Sequence, residues 1–294
     1  MFKNLLKAAS AVAAAVVCSV MLSFPASAAN VRVPAADGTV TYGNARITVD
    51  ASHTSDGYVM VKYTGNAPRI KVRITKDTQY TYDLNTSGQY ETFPLTEGDG
   101  NYTIQVFENI SGTMYSTALS KSISVTLADQ NSPFLYPNQF CDFNAQSKFL
   151  ETADSLTAEL TKPIDKVAAI YNYTVNNISY DYDKAKTVQS GYLPNVDNTL
   201  ETKKGICFDY ASFMCAMLRS QNVPTKLVIG YTGNIYHAWI SVYAGEQGWI
   251  DNVIYFDGVS WKFMDPTFAS SGKDNPTVKE YINNAANYQA KFSY

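Results

Sequence analysis

Between residues 31 and 127 apolar and polar positions alternate in short runs. In "IKVRIT", Ile70, Val72 and Ile74 alternate with Lys71, Arg73 and Thr75. Tyr102, Ile104 and Val106 do the same in "YTIQVF", as do Ile123, Val125 and Leu127 in "ISVTL". A period of two marks strands with one buried face. Turn signals rich in Gly, Asn and Asp separate the runs at Ser55–Gly57, Thr64–Pro68, Asn85–Gly88 and Glu97–Gly100. Short strands at this spacing, with no helical period among them, predict an all-β, immunoglobulin-like sandwich over residues 30–127. No residue set in it suggests chemistry, so a spacer or adhesive role is expected.

The pattern changes after Ala128–Gln139, a polar stretch with Pro133 and Pro137 that reads as a linker, residues 128–139. Helices are predicted over 147–160 and 164–177. In the second, Val167, Ile170, Tyr171 and Thr174 share a face, and Pro163 stands where a helix start tolerates it. Residues 187–199 read as a loop. A helix is predicted from Cys207, with Ala211, Met214, Cys215 and Leu218 on its packing face. Strands then follow over 225–231, 237–243 and 260–268, and residues 140–294 form a second domain.

The first 29 residues stand apart from both units. Lys3 and Lys7 precede an apolar run, Ala8–Phe24, and "ASAA" (Ala26–Ala29) offers small-residue cleavage positions after Ala28 or Ala29. That is the layout of a secretory signal peptide. Val17 precedes Cys18 where a lipid-anchored leader carries a small residue, which disfavours an anchor. No later apolar run reaches transmembrane length. The expectation is a secreted, extracellular protein with no membrane association.

Composition narrows the classes further. About 265 residues remain after the leader, and 46% hydrophobic and 13% aromatic content across the chain can fill real cores. A formal net charge of −3 leaves no basic footprint for nucleic acid. Cys141, Cys207 and Cys215 follow the leader, so at least one thiol is unpaired within the chain. Cys141 and Cys215 suit buried core positions, and a disulfide between them is left open.

Cys207 sits differently. It follows Gly205 and opens a helix, where unpaired backbone N–H groups point outward and favour a thiolate. The same groups can receive an oxyanion. Asp209 also falls in the first turn, where a carboxylate suits the dipole. Of the two histidines, His53 lies in the turn "ASHTSDG" and reads as a solvated turn residue, whereas His237 opens the strand "HAWISVY". Asp265 closes a strand just before Pro266. Nucleophile, base and orienting carboxylate then follow in chain order. The spacing of Cys207, Cys215 and His237 matches no paired-ligand zinc pattern, and no cofactor motif is present.

"GICFDYASFMCAMLRSQNVPTKLVIGY", "YHAWISVY" and "FMDPTF", with the lead-in "NNISYDYD", resemble the core of the transglutaminase-like superfamily. The resemblance runs from about Ala169 to Phe268 and implies a papain-like α+β fold, with the nucleophile helix packed on an antiparallel sheet. It implies Cys207 as nucleophile, His237 as base and Asp265 as its orienter. Asn176 or Tyr180 in the lead-in is a candidate second oxyanion donor. Tyr231, Tyr236, Trp239 and Trp249 are candidates for a substrate groove or for the core. The implied activity is cysteine acyl transfer on a peptide or glutamine carboxamide, by hydrolysis or by cross-linking. The implied partner is a protein or peptide, a cell-wall-associated one among the options. The competing class is a non-catalytic surface-binding protein that uses the sandwich, with the second unit as scaffold.

Overall fold

The structure, a computed structural model, describes residues 31–251, 254–256, 261–263 and 287–294. The expected leader and Asp265 lie outside the described residues.

The alternating runs form strands as expected. These are β1 (Thr41–Gly43), β2 (Ile47–Asp50), β3 (Tyr58–Tyr63), β4 (Ile70–Thr75), β5 (Gln79–Leu84), β6 (Tyr90–Pro94), β7 (Gly100–Ser111) and β8 (Met114–Val125). They make two four-stranded antiparallel sheets, ordered β1-β2-β3-β6 and β5-β4-β7-β8. The chain passes between the sheets at β3–β4, β5–β6 and β6–β7, which is sandwich connectivity. Register explains the core. Val72 lies opposite Val106 and Ile74 opposite Ile104, and all four are at most 2% exposed. The facing sheet supplies Ile47, Val49, Val59, Val61 and Phe93.

The segment expected as a linker is largely packed. Ser132–Phe134 forms one 3-10 turn, and Phe134 and Leu135 are buried. The Phe134 ring stands edge-on to Trp249 at 5.1 Å. Two prolines and polar neighbours made the stretch look solvated, but its aromatic residue finds a partner more than a hundred positions away.

The remainder is mixed helix and sheet. Helices α1 (Phe149–Thr157) and α2 (Pro163–Asn177) precede β9 (Ser179–Tyr180), α3 (Tyr182–Thr187), α4 (Val196–Thr202), β10 (Lys204–Gly205) and α5 (Cys207–Ser220). Then come β11 (Thr225–Thr232), β12 (Ile235–Tyr243), β13 (Trp249–Ile250), β14 (Ile254–Phe256), β15 (Trp261–Phe263) and β16 (Tyr288–Ser293). Strands β13-β12-β11-β16 form one antiparallel sheet. Helix α5 lies on β11 and β12, and α1, α2 and α4 pack on its other sides. The helix is therefore buried all round from Asp209 to Ser220, not along the single expected stripe. Its Arg219 is 1% exposed. The guanidinium donates to Thr225 O from Nε and Nη2 (3.0 and 2.7 Å), to Tyr136 O at 2.5 Å and to Tyr294 O at 2.7 Å. One buried cation thus joins α5, the 128–139 segment and the end of β16 through carbonyl acceptors. Among the described residues no helix is long and apolar enough to cross a membrane.

His53 is held more firmly than a solvated turn residue. Nδ1 lies 2.8 Å from Asp56 Oδ2 and Nε2 lies 2.8 Å from Asp37 Oδ2, while the ring stacks on Tyr58. Only the imidazolium donates from both nitrogens. Hydrogen bonding to Asp56 and then to Asp37 raises its pKa above the ordinary 6.5, against an opposing effect of burial. A raised folded-state value means that protonation stabilises the fold. The contribution is complete below about pH 6.5 and is lost as pH climbs through the folded-state midpoint. NMR titration of the His53 ring should give a midpoint above 6.5 that falls in Asp37→Asn. An identical midpoint in the variant would show that Asp37 does not contribute.

Candidate active site

The start of α5 is fixed by a buried carboxylate. Asp209, 1% exposed, occupies the third helical position and accepts from the Ile206 N–H at 2.8 Å. That is the carboxylate half of a capping box; Ile206 offers no side-chain acceptor for the other half. The same carboxylate accepts from Lys184 Nζ at 2.7 Å and from the Tyr192 hydroxyl. Lys184 also donates to the Tyr192 hydroxyl at 2.6 Å and lies over its ring. Burial first, and then the bond to Asp209, pushes the Tyr192 phenol up, so it stays a neutral donor. Gly205 precedes this turn for steric reasons. Its φ is not in the left-handed region, but a Cβ there would stand 2.6 Å from Asp209 Cβ.

The lead-in segment is tied to the same point. Strands β9 and β10 pair in parallel, with Tyr180 opposite Gly205. Tyr210 of α5 donates its hydroxyl to Ile178 O at 2.7 Å. The start of α5 is thus stitched to the chain after α2 on both sides of Cys207.

His237 comes from the neighbouring sheet. Strands β11 and β12 are joined by a two-residue loop in which Gly233 takes φ +58°, the positive φ such hairpin loops require. The strand starts at Ile235, so His237 is its third residue, opposite Gly230 on β11. Gly230 carries no side chain because a Cβ would meet Gln289 O at 2.0 Å, where β16 bulges against β11. His237 is 5% exposed and lies near Trp239 and Tyr288.

Cys207 and His237 line one cavity of about 860 Å³. The Cys207 thiol is half-buried, and by position the Cys207 and Phe208 N–H groups lack intrahelical acceptors. Residues 188–193, between α3 and α4, form one wall, and Tyr180 and Tyr236 contribute to the lining. Asn176 is exposed on α2 and does not reach the cavity. Tyr231, Trp239 and Trp249 are also outside the lining: Trp239 is core, and Trp249 packs on Phe134 and Tyr243 beneath Lys226. A further wall comes from β5, in the β5-β4-β7-β8 sheet of the sandwich, through Gln79, Thr81, Tyr82 and Asp83. The sandwich therefore borders the candidate site.

The other two thiols lie in the core. Cys141 and Cys215 are both 0% exposed and contact each other as free thiols. Burial holds the Cys141 thiol well above its usual value, which makes it a poor nucleophile.

Residues 150–266 match the family model described as the transglutaminase-like superfamily. The matched segment resembles that superfamily. It includes Cys207, His237 and Asp265. A UPF0252 protein of Methanocaldococcus jannaschii is 40% identical over 110 residues, 32% of this chain and 31% of that one. The uncharacterized protein YebA of Bacillus subtilis is 34% identical over 118 residues, 33% of this chain and 16% of its own. A protein-glutamine gamma-glutamyltransferase of Pseudomonas aeruginosa is 29% identical over 114 residues, again 33% and 16%. The aligned parts thus span less than a third of each relative.

Two parts of the candidate site escaped the sequence pattern. Helices α3 and α4 fall where a lead-in and a loop were expected, and the Lys184–Tyr192–Asp209 cluster joins residues from three elements. The available signal was Asn195, whose side chain caps α4 by accepting from the Asn198 N–H, with Asp197 in the first turn. If the Asp209 cluster fixes the start of α5, Asp209→Ala should lower stability by about 2–4 kcal/mol. It strands a buried N–H and a cation that is only a quarter solvent-accessible. Urea unfolding measures the loss. A change under about 0.5 kcal/mol, the scale of an ordinary surface substitution, would count against this role.

Proposed function

We propose that the protein is a secreted cysteine acyltransferase of the transglutaminase-like kind. The observation that carries the proposal is the meeting of a helix-start thiol, Cys207, and an imidazole, His237, in one cavity. Cys207 attacks the carbonyl of a peptide or glutamine-side-chain carboxamide. The N–H groups of the first turn of α5 receive the developing oxyanion. The tetrahedral intermediate collapses to a thioester, and His237 delivers a proton to the departing amine. His237 then takes a proton from water or from a second amine as it resolves the thioester, which frees Cys207. Water gives hydrolysis and a protein amine gives a cross-link. Asp265, within the family-matched residues, orients the imidazole and stabilises its charged form.

The domain assignment belongs to the same proposal. Residues 30–127 form an immunoglobulin-like sandwich, 128–139 connect it, and 140–294 form the catalytic domain. The leader directs export, and the substrate is a protein or peptide outside the cytoplasm. A non-catalytic adhesin has less support, because nothing in adhesion calls for a thiol and an imidazole in one cavity.

Positioned acid–base catalysis supplies about 10²–10⁴ in rate. His237→Ala should therefore lose at least about a hundredfold in ammonia release from glutamine-containing peptides, while its circular dichroism stays that of the wild type. Cys207→Ala should be inactive. Adding a primary amine separates the two acceptors, because incorporation of the amine marks cross-linking. A folded His237→Ala protein that works at the wild-type rate would end this assignment.

A further inference from the structure

The cavity wall supplied by the sandwich is a sheet edge. Among the described residues β5 pairs only with β4, and no strand pairs with its second side. Gln139 donates its Nε2 to Asp83 O at 3.1 Å from outside the sheet. Backbone groups of a strand alternate sides with a period of two. Thr81 and Gln79 therefore present N–H and C=O to the same side as Asp83, and all three line the cavity together with Tyr82. Among the described residues no hydrogen bond reaches the outward backbone groups of Thr81.

A path of aromatic rings leads from this edge to the nucleophile. Tyr82 of β5 stacks on Phe140 with centroids 5.8 Å apart, and Phe140 meets Phe208 at 5.9 Å. Phe208 is the neighbour of Cys207 on the first turn of α5. Extended chain rises about 3.3 Å per residue, so roughly four residues of a bound strand cover the distance.

We propose that the outer edge of β5 is a substrate-docking strand: an extended polypeptide segment adds to it at Thr81 and lays its reactive carboxamide over the aromatic path at Cys207. The inference rests on Cys207 being the nucleophile proposed above. Strand addition takes affinity from main-chain hydrogen bonds and tolerates many side chains. It selects unstructured chain, such as a loop or a tail, over compact amides and over the interior of folded proteins. The sandwich is then part of the substrate site.

The test uses the full-length exported protein and chloroacetyl peptides of one to six alanines, which convert the Cys207 thiol to a thioether with loss of chloride. Iodoacetamide serves as the short control. Mass spectrometry gives the rate at Cys207. The second-order rate constant should climb about tenfold or more as the peptide grows and level off near four residues. N-methylation at one alternating set of residues should remove about fivefold to tenfold per methyl group, the cost of one lost hydrogen bond. Methylation at the other set should have little effect. Thr81→Pro removes the donor at an edge position that tolerates proline. It should abolish the length dependence while leaving the iodoacetamide rate unchanged. Reactivity to iodoacetamide with no length dependence in the wild type would overturn the docking strand and leave the proposed function standing. A Cys207 inert to iodoacetamide would overturn both. The N-methyl series needs no variant, so its result stands even if Thr81→Pro does not fold.

Discussion

The candidate site depends on one buried carboxylate. A charge sealed from water is tolerated only where donors surround it, and Asp209 has three: a main-chain N–H, a phenol and an ammonium. Each comes from a different stretch of chain. The Ile206 N–H sets where α5 begins, so it sets where the Cys207 thiol emerges. Tyr192 brings in the 188–193 wall, and Lys184 anchors α3 behind it. Lys184 has a second effect, because it offsets a negative charge two residues from Cys207. Removing Gly205's freedom from a side chain would push on this carboxylate and disturb all three connections at once.

How much of this could be read in advance varied with the range of the interactions. The strands of the sandwich were legible because alternation is a local property, and Ile70–Thr75 and Gly100–Ser111 display it without interruption. Pro163 and the apolar face after it announced α2 for the same reason. Cys207 and His237 were legible as types at suggestive places, since a thiol at a helix start and a histidine beside a strand are rare enough to notice. Burial of α5 on every side was not legible, because it comes from α1, α2 and α4 closing over Ser212 and Ser220, which look like a solvated face. The reason for Gly205 was not legible either, because it lies in the close approach of Asp209. Packing of Phe134 on Trp249 and the placement of β5 beside Cys207 arise between residues far apart in the chain. No local pattern carries that information.

The two parts of the molecule meet through aromatic side chains. Tyr80 and Tyr82 of β5 lie against Phe292 and Tyr294, and Phe140 fills the space between them. Gln139 adds hydrogen bonds to Asp83 O and Glu91. Aromatic contacts of this kind bury large areas and hold geometry. A sandwich on a free tether could not present a fixed wall to the cavity; one seated on five rings can.

Ser293 N donates to the Tyr80 hydroxyl, across 213 positions of sequence. At about 5–20 residues per second, a ribosome adding those 213 positions takes roughly ten to forty seconds. During that interval the sandwich can fold, and α5 can form, yet β11 lacks its β16 neighbour and Arg219 lacks the Tyr294 carbonyl. The cavity is consequently among the last things the chain completes. Contacts of such long range also slow folding, which leaves a nascent chain with a thiol but with its pocket unfinished. Such delay leaves the Cys207 thiol outside a finished pocket while the polypeptide that carries it is still being made.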